Sequence, residues 1–369
     1  MNKSGFTIVL IIILTVVAAF LYRQYTVFRV PVTSTSTSAV LDKTIQETSS
    51  VKHSVPLEDI FTGNPVKDGI PSIDDPSYDS IAEADQYLSD DGFGLAVEVN
   101  GRHRFYPYQI LVWHEIVNET FGDESLLVTY CPLCFTGIVF EREIENEIYE
   151  FGTSGKLYNS NLLMYDRTTD SLWSQALGES VVGNLTGTEL VLYPSLTITW
   201  DEFKKSFSGG SVLSRDTGFE RNYTNDPYPG YYTNASIKFP ISHKDDRLHP
   251  KTIVFGMDLG DGQAAYPIES VESVGVINEE VAGKDVVVFW DDDLQTVRGY
   301  FAQIDEQVLT FDKENGILVD RETKSRWNTN GEAFGGELLG SQLELAPLEN
   351  HFWFSWFTTH PDTKLFNIE

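Results

Sequence analysis

The chain has 369 residues, with 55 acidic against 26 basic side chains and a formal net charge of −29. Such a surface repels phosphate backbones, which argues against nucleic acid as a partner, and it suits a soluble exterior, salty surroundings or a cation-rich ligand. Two cysteines permit at most one disulfide, so covalent staples do not carry a fold of this size.

The first predicted element is residues 1–23. Within it, residues 6–22 hold no charge, proline or glycine. As a helix they span roughly 25 Å, at the short end of what crosses a bilayer. No face of the run is polar, which argues against a core helix. Val17-Ala18-Ala19-Phe20 is a poor cleavage site, which favours an uncleaved transmembrane anchor over a secretory signal. Lys3 on one side and Arg23 and Arg29 on the other would, by charge alone, place the C-terminal side in the cytoplasm. One span at the extreme N-terminus ahead of a long domain is instead an export layout. The expectation is a single-pass protein of the cell membrane whose C-terminal portion is extracytoplasmic. Residues 24–54, with Thr33-Ser34-Thr35-Ser36-Thr37-Ser38 and Thr48-Ser49-Ser50, cannot bury enough apolar surface to offset chain entropy and read as a stalk.

Aromatic residues become dense from Val55 onward, and an internal repeat appears. Asp166-Arg167-Thr168-Thr169-Asp170-Ser171-Leu172-Trp173 resembles Asp320-Arg321-Glu322-Thr323-Lys324-Ser325-Arg326-Trp327. Upstream, Tyr106-Pro107 and Asn118-Glu119 pair with Tyr266-Pro267 and Asn278-Glu279. Downstream, Gly178-Glu179, Gly187, Leu190, Pro194 and Trp200 pair with Gly331-Glu332, Gly340, Leu343, Pro347 and Trp353. The expected organisation is a first unit over 55–208, a connection rich in Tyr, Asn, Asp and Pro over 209–256, and a second, degenerate unit over 257–369. Runs such as 126–130, 137–140 and 286–290 are short, β-branched and aromatic, hence strands. Helices are predicted over 107–119 and 267–280, each with proline in the first turn, and a short one over 201–207. The fold class is therefore α+β and β-rich, an internally duplicated unit with short helices preceded by an N-terminal transmembrane helix.

Residues shared by both units, such as Asp166 with Trp173 and Asp320 with Trp327, serve the common fold as turn and core. Those confined to the first unit are the better functional candidates: His103, His114, Cys131, Cys134 and the stretch 152–161. Cys131-Pro132-Leu133-Cys134 lies between two predicted strands, not at the start of a helix, which counts against a thioredoxin-type site. A strand–knuckle–strand turn lets both sulfurs point one way, as a metal requires. Two thiolates with the imidazole of His114 would leave a fourth position open, suited to zinc or copper. A structural disulfide, a thiol–disulfide exchange centre using this pair, and a non-catalytic surface module remain as alternatives. Tyr158, Asn159 and Asn161 are expected to line a pocket beside the cysteines, and His351 and His360 to close it from the second unit. No phosphate loop, nucleophile elbow, zinc-protease motif or dinucleotide fingerprint occurs.

The segments 113–118, 129–134, 151–167 and 171–175 closely resemble an uncharacterised prokaryotic family, domain of unknown function 3179. His351-Phe352-Trp353-Phe354 and Thr359-His360-Pro361-Asp362-Thr363 resemble its C-terminal signature. The resemblance implies an exported bacterial or archaeal protein and brings no established activity, substrate or cofactor. It departs at Phe135, where the family pattern has glycine.

Overall fold

Short β-branched segments separated by turn residues can satisfy their backbone groups only by pairing with neighbours, and most pair as antiparallel hairpins. The computed structural model of the chain describes residues 45–64 and 66–367. The expected anchor and most of the expected stalk lie outside these described residues. Among the described residues no helix is long and apolar enough to cross a membrane.

The order of elements over 93–213 recurs over 253–365. Each begins with a hairpin, Phe93–Val99 with Arg102–Pro107 and Ile253–Asp258 with Gln263–Pro267, then a short helix. A three-stranded antiparallel sheet follows, Ile116–Phe121, Glu124–Cys131 and Thr136–Glu141 in one and Val276–Val281, Lys284–Asp291 and Thr296–Phe301 in the other. A two-residue hairpin and a second hairpin come next, the latter Phe151–Tyr158 with Asn161–Asp166 or Phe311–Glu314 with Ile317–Asp320. A helix near the end opens with Trp200 or Trp353, and each half closes with a strand added in parallel to its first hairpin.

The side-chain bonds recur as well. Trp173 Nε1 donates to Asp166 at 3.0 Å and Trp327 Nε1 to Asp320 at 2.9 Å. Asn118 exchanges two hydrogen bonds with the Phe151 backbone, and Asn278 does the same with Phe311. Phe151 meets Trp173 edge-on at 5.6 Å, and Phe311 meets Trp327 at 5.9 Å. These tryptophans are fully buried, each in a cluster between the three-stranded sheet and the long hairpin.

Three expectations change. The helices predicted over 107–119 and 267–280 shrink to Tyr108–Leu111 and Ile268–Val274. Glu115 and Gly275 take left-handed backbone, φ +61° and +82°, which stops each helix, and the β-branched residues beyond join a strand. The end of the stalk is strand: Val51–His53 pairs with Gln46–Thr48, and His53 pairs with Val182 at the edge of a seven-stranded sheet. Ser211–Leu213, expected in the connection, belongs to the five-stranded sheet of the first half.

Candidate functional site

The cysteines sit at the tight turn between two strands of the first half. Cys131 is the last residue of its strand and faces Thr136 across the hairpin. The Cys134 N–H donates to the Cys131 carbonyl at 3.1 Å, and Phe135 completes the turn in left-handed backbone at φ +51°. Both cysteines are reduced and buried. A strand, Thr136–Glu141, follows the motif where a thioredoxin-type site would have a helix.

The C-terminal segment of the second half covers this turn. Phe352 N–H donates to the Cys134 carbonyl at 2.8 Å, and Asn350 Nδ2 donates to the Phe135 carbonyl at 2.5 Å. Cys134 Sγ lies 3.4 Å from the carbonyl of Ser160, in the turn of the long hairpin. That turn reaches the sulfur because the first hairpin is longer: Phe151 corresponds to Phe311 but Asp166 to Asp320, so the first hairpin holds six more residues. They include the irregularity between Thr153 and Lys156.

The two thiols differ. Burial pushes the Cys131 thiol well up, and the hydrogen bond and charge of Cys134 add to this. Burial also acts on Cys134, but hydrogen bonds from Cys131, Ser355 and Asn161, with the charge of Lys251, outweigh it and hold that thiol below its ordinary value. Of the two, Cys131 therefore holds its proton the more tightly. Burial first, and the neighbouring Cys134 second, push the Glu115 carboxyl up to about 8, so it is protonated at neutral pH. Burial pulls the Lys251 ammonium down to about 7. Its Nζ lies 3.0 Å from the Tyr231 ring centroid and has no hydrogen-bond partner among the described residues. Cys131 and Glu115 both line a cavity of about 350 Å³, walled by Leu133 and Leu162 and rimmed by the exposed Lys156 and Lys238.

Sequence reasoning singled out some of these residues and missed others. Cys131, Cys134 and Asn161 are together. His114 is fully buried but engaged elsewhere: Nδ1 meets the Pro71 carbonyl at 2.7 Å and Nε2 the Tyr223 hydroxyl at 2.8 Å. The left-handed turn at Glu115 explains this, because it carries Glu115 to the sulfurs while His114 leaves in another direction. Asn159 accepts from the backbone and hydroxyl of Ser242 at 2.9 and 2.8 Å, and Tyr158 packs in a separate cluster with Val55 and Leu163. His351 Nδ1 meets Thr136 Oγ1 at 3.1 Å beside the turn, whereas His360 stacks on Trp356 and meets Asp258 at 3.2 Å. Glu115, Lys251 and Ser355 were missed. Only Glu115 carried a signal, its position opposite Gly275 in the repeat.

Among the described residues no group of three or more His, Cys, Asp or Glu is placed to hold a metal ion. The donors at the cysteines are two thiols and a carboxyl, with the buried Lys251 near by.

Residues 67–363 match the model of the family described as Protein of unknown function (DUF3179), and the chain belongs to that family. No curated protein and no solved structure matches it.

Proposed function

We propose that Cys131 and Cys134 form a thiol–disulfide exchange centre. The observation that carries this reading is geometric: a reduced cysteine pair opens, through Cys131 and next to a buried carboxyl, onto a cavity large enough for part of a substrate. The Cys134 sulfur first takes the proton of Cys131, its hydrogen-bond partner, and the Cys131 thiolate so formed, which opens onto the cavity, attacks one sulfur of a substrate disulfide. The S–S bond breaks, the first thiolate leaves, and Glu115 protonates it. Glu115, now a carboxylate, takes the proton of Cys134. The Cys134 thiolate attacks the Cys131 sulfur and expels the second thiolate, which recovers that proton from Glu115. One substrate disulfide becomes two thiols, the protein pair becomes a disulfide, and Glu115 ends ionised. The reverse sequence oxidises two thiols.

The reading extends to placement and origin. Residues 1–23 anchor the chain in the cell membrane, with the exchange centre on the extracytoplasmic side, where substrate disulfides occur. The recurring order of elements supports an internal duplication about an approximate two-fold axis. Thr197 and Asn350, equivalent by the downstream pairing, bond to each other at 2.6 Å, as residues beside such an axis would.

The test uses the full-length protein in maltoside micelles, equilibrated in glutathione redox buffers. A two-electron transition of the cysteine pair is expected. Cys134→Ser should accumulate a mixed disulfide with glutathione on Cys131, and Cys131→Ser should form none. Stoichiometric zinc or copper in reduced wild type, shielding both thiols, would replace this reading with a metal site at Cys131 and Cys134. A pair unreactive in both redox directions would leave a non-catalytic surface module.

A further inference from the structure

Tyr130 and Cys131 are consecutive in one strand, so their side chains leave by opposite faces. Cys131 lines the cavity described above, and Tyr130 lines a different one of about 240 Å³. Its walls include Phe93, Tyr108, Tyr130, Phe135 and Tyr232, and Asp226 is at its edge.

The rings are set at angles that make corners. Tyr108 and Tyr130 are stacked, 3.9 Å between centroids at 18°. Phe135 stands at 90° to Tyr108 and 87° to Phe93, each 5.6 Å away, and Tyr232 lies 6.5 Å from Phe135 at 68°. The Asp226 carboxylate is fixed by the Tyr228 N–H at 2.7 Å and by the Tyr232 hydroxyl at 3.4 Å. Among the described residues no lysine, arginine or histidine lines this cavity, whereas two lysines rim the cysteine cavity.

The repeat shows which part of this arrangement the fold itself demands. Gln295, the counterpart of Phe135, adopts the same left-handed backbone at φ +48°. The turn therefore sets the conformation, and the ring at Phe135 is an addition of the first half. Ile253 and Ile268 stand in the places of Phe93 and Tyr108, and Tyr232 comes from the region between the halves. A purely apolar pocket has no use for a fixed carboxylate at its edge. Aromatic faces carry negative potential, and several of them with one carboxylate attract a weakly hydrated cation.

We propose that this cavity binds a small quaternary ammonium group, such as a trimethylammonium head. This inference is independent of the thiol reading. Full-length protein in maltoside micelles is titrated calorimetrically with tetramethylammonium and with neopentyl alcohol, its uncharged near-isostere. Tetramethylammonium should bind at least about tenfold more tightly than the alcohol. Tyr232→Leu, which keeps an apolar side chain without the π-face, should weaken it about tenfold, and Asp226→Asn several-fold. Both positions lie outside the buried core, and an unchanged thermal midpoint confirms the fold. Glycerophosphocholine distinguishes sources: tighter binding than tetramethylammonium assigns a lipid headgroup, weaker binding a free ammonium compound. Equal affinity for the alcohol, no binding by wild type, or binding unaffected by either substitution overturns the proposal.

Discussion

The same turn occurs twice in this molecule with different contents. In the second half it reads Asp291-Asp292-Asp293-Leu294-Gln295. The Asp291 side chain accepts from the N–H groups of Asp293 and Leu294, each at 3.1 Å. Leu294 packs against the Trp200 and Phe203 cluster of the first half. An aspartate-capped turn with one apolar anchor therefore suffices to build this corner of the fold. In the first half Cys131 and Cys134 replace that cap and anchor, and the turn is held by backbone bonds and by the segment 350–355. The recurring turn does not itself require cysteine at these positions.

The left-handed positions show a second difference. The second half puts glycine at Gly275 and Gly316, at φ +82° and +81°. The first half puts Glu115 and Ser160 there, at φ +61° for both. Left-handed backbone costs such residues about 1–2 kcal/mol each. Both lie against Cys134, so these two left-handed positions bring a carboxyl and a backbone carbonyl to that sulfur.

Exchanging features between the halves tests this contrast. The largest effect belongs to the turn. Cys131→Ser should abolish disulfide exchange with little change in unfolding midpoint, whereas Asp291→Ala should leave exchange intact and destabilise by about 2 kcal/mol through the lost cap. Exchange surviving in Cys131→Ser would move the chemistry elsewhere.

Glu115→Gln should slow exchange about 100-fold, the scale of a positioned acid–base group. It should also change stability with pH. The folded carboxyl titrates at about 8 against an ordinary 4.5, so its contribution is complete below 4.5 and is lost as pH rises through 8. Denaturation midpoints from pH 5 to 9 should fall with pH in wild type and stay flatter in the variant. Parallel slopes would show that Glu115 ionises normally.

The features common to both halves should respond alike. Asp166→Ala and Asp320→Ala each remove bonds to a buried tryptophan and a threonine, costing about 2–3 kcal/mol. A large inequality in urea unfolding would mean that the halves are not stabilised in the same way. The smallest effect is a swap of turn residues. Ser160→Gly should stabilise and Gly316→Ser destabilise, each by about 1 kcal/mol. The Gly316 site is roomy, with Asp292 Oδ2 the nearest group at 3.7 Å, so backbone strain alone decides that sign.

Local pattern made several elements legible. The strands over 126–130, 137–140 and 286–290 and the short helix near 201 are dictated by β-branched and aromatic runs and by capping, which neighbouring residues carry. The turn-and-tryptophan pairs were legible because they occur twice. The second helix does carry a stop signal, Gly275. The length of the first helix was not legible, because a left-handed glutamate looks like an ordinary helix former in sequence. The assignment of His114 to the cysteines failed for the same reason: two residues adjacent in the chain part at that turn.

By itself, the sequence determined the family, the β-rich class, the recurring motifs and the presence of an unusual cysteine pair in one half only. The family follows from the resemblance of its ordered motifs, and the rest from periodicity, composition and recurrence along the chain. Only the tertiary structure decided what surrounds the sulfurs. Glu115 arrives from the preceding turn, Ser160 and Asn161 from a lengthened hairpin, Lys251 from the region between the halves and Ser355 from the last helix. Burial then shifts the Glu115 carboxyl and the Lys251 ammonium toward neutrality, because desolvation depends on everything packed around a group and not on its neighbours in the chain.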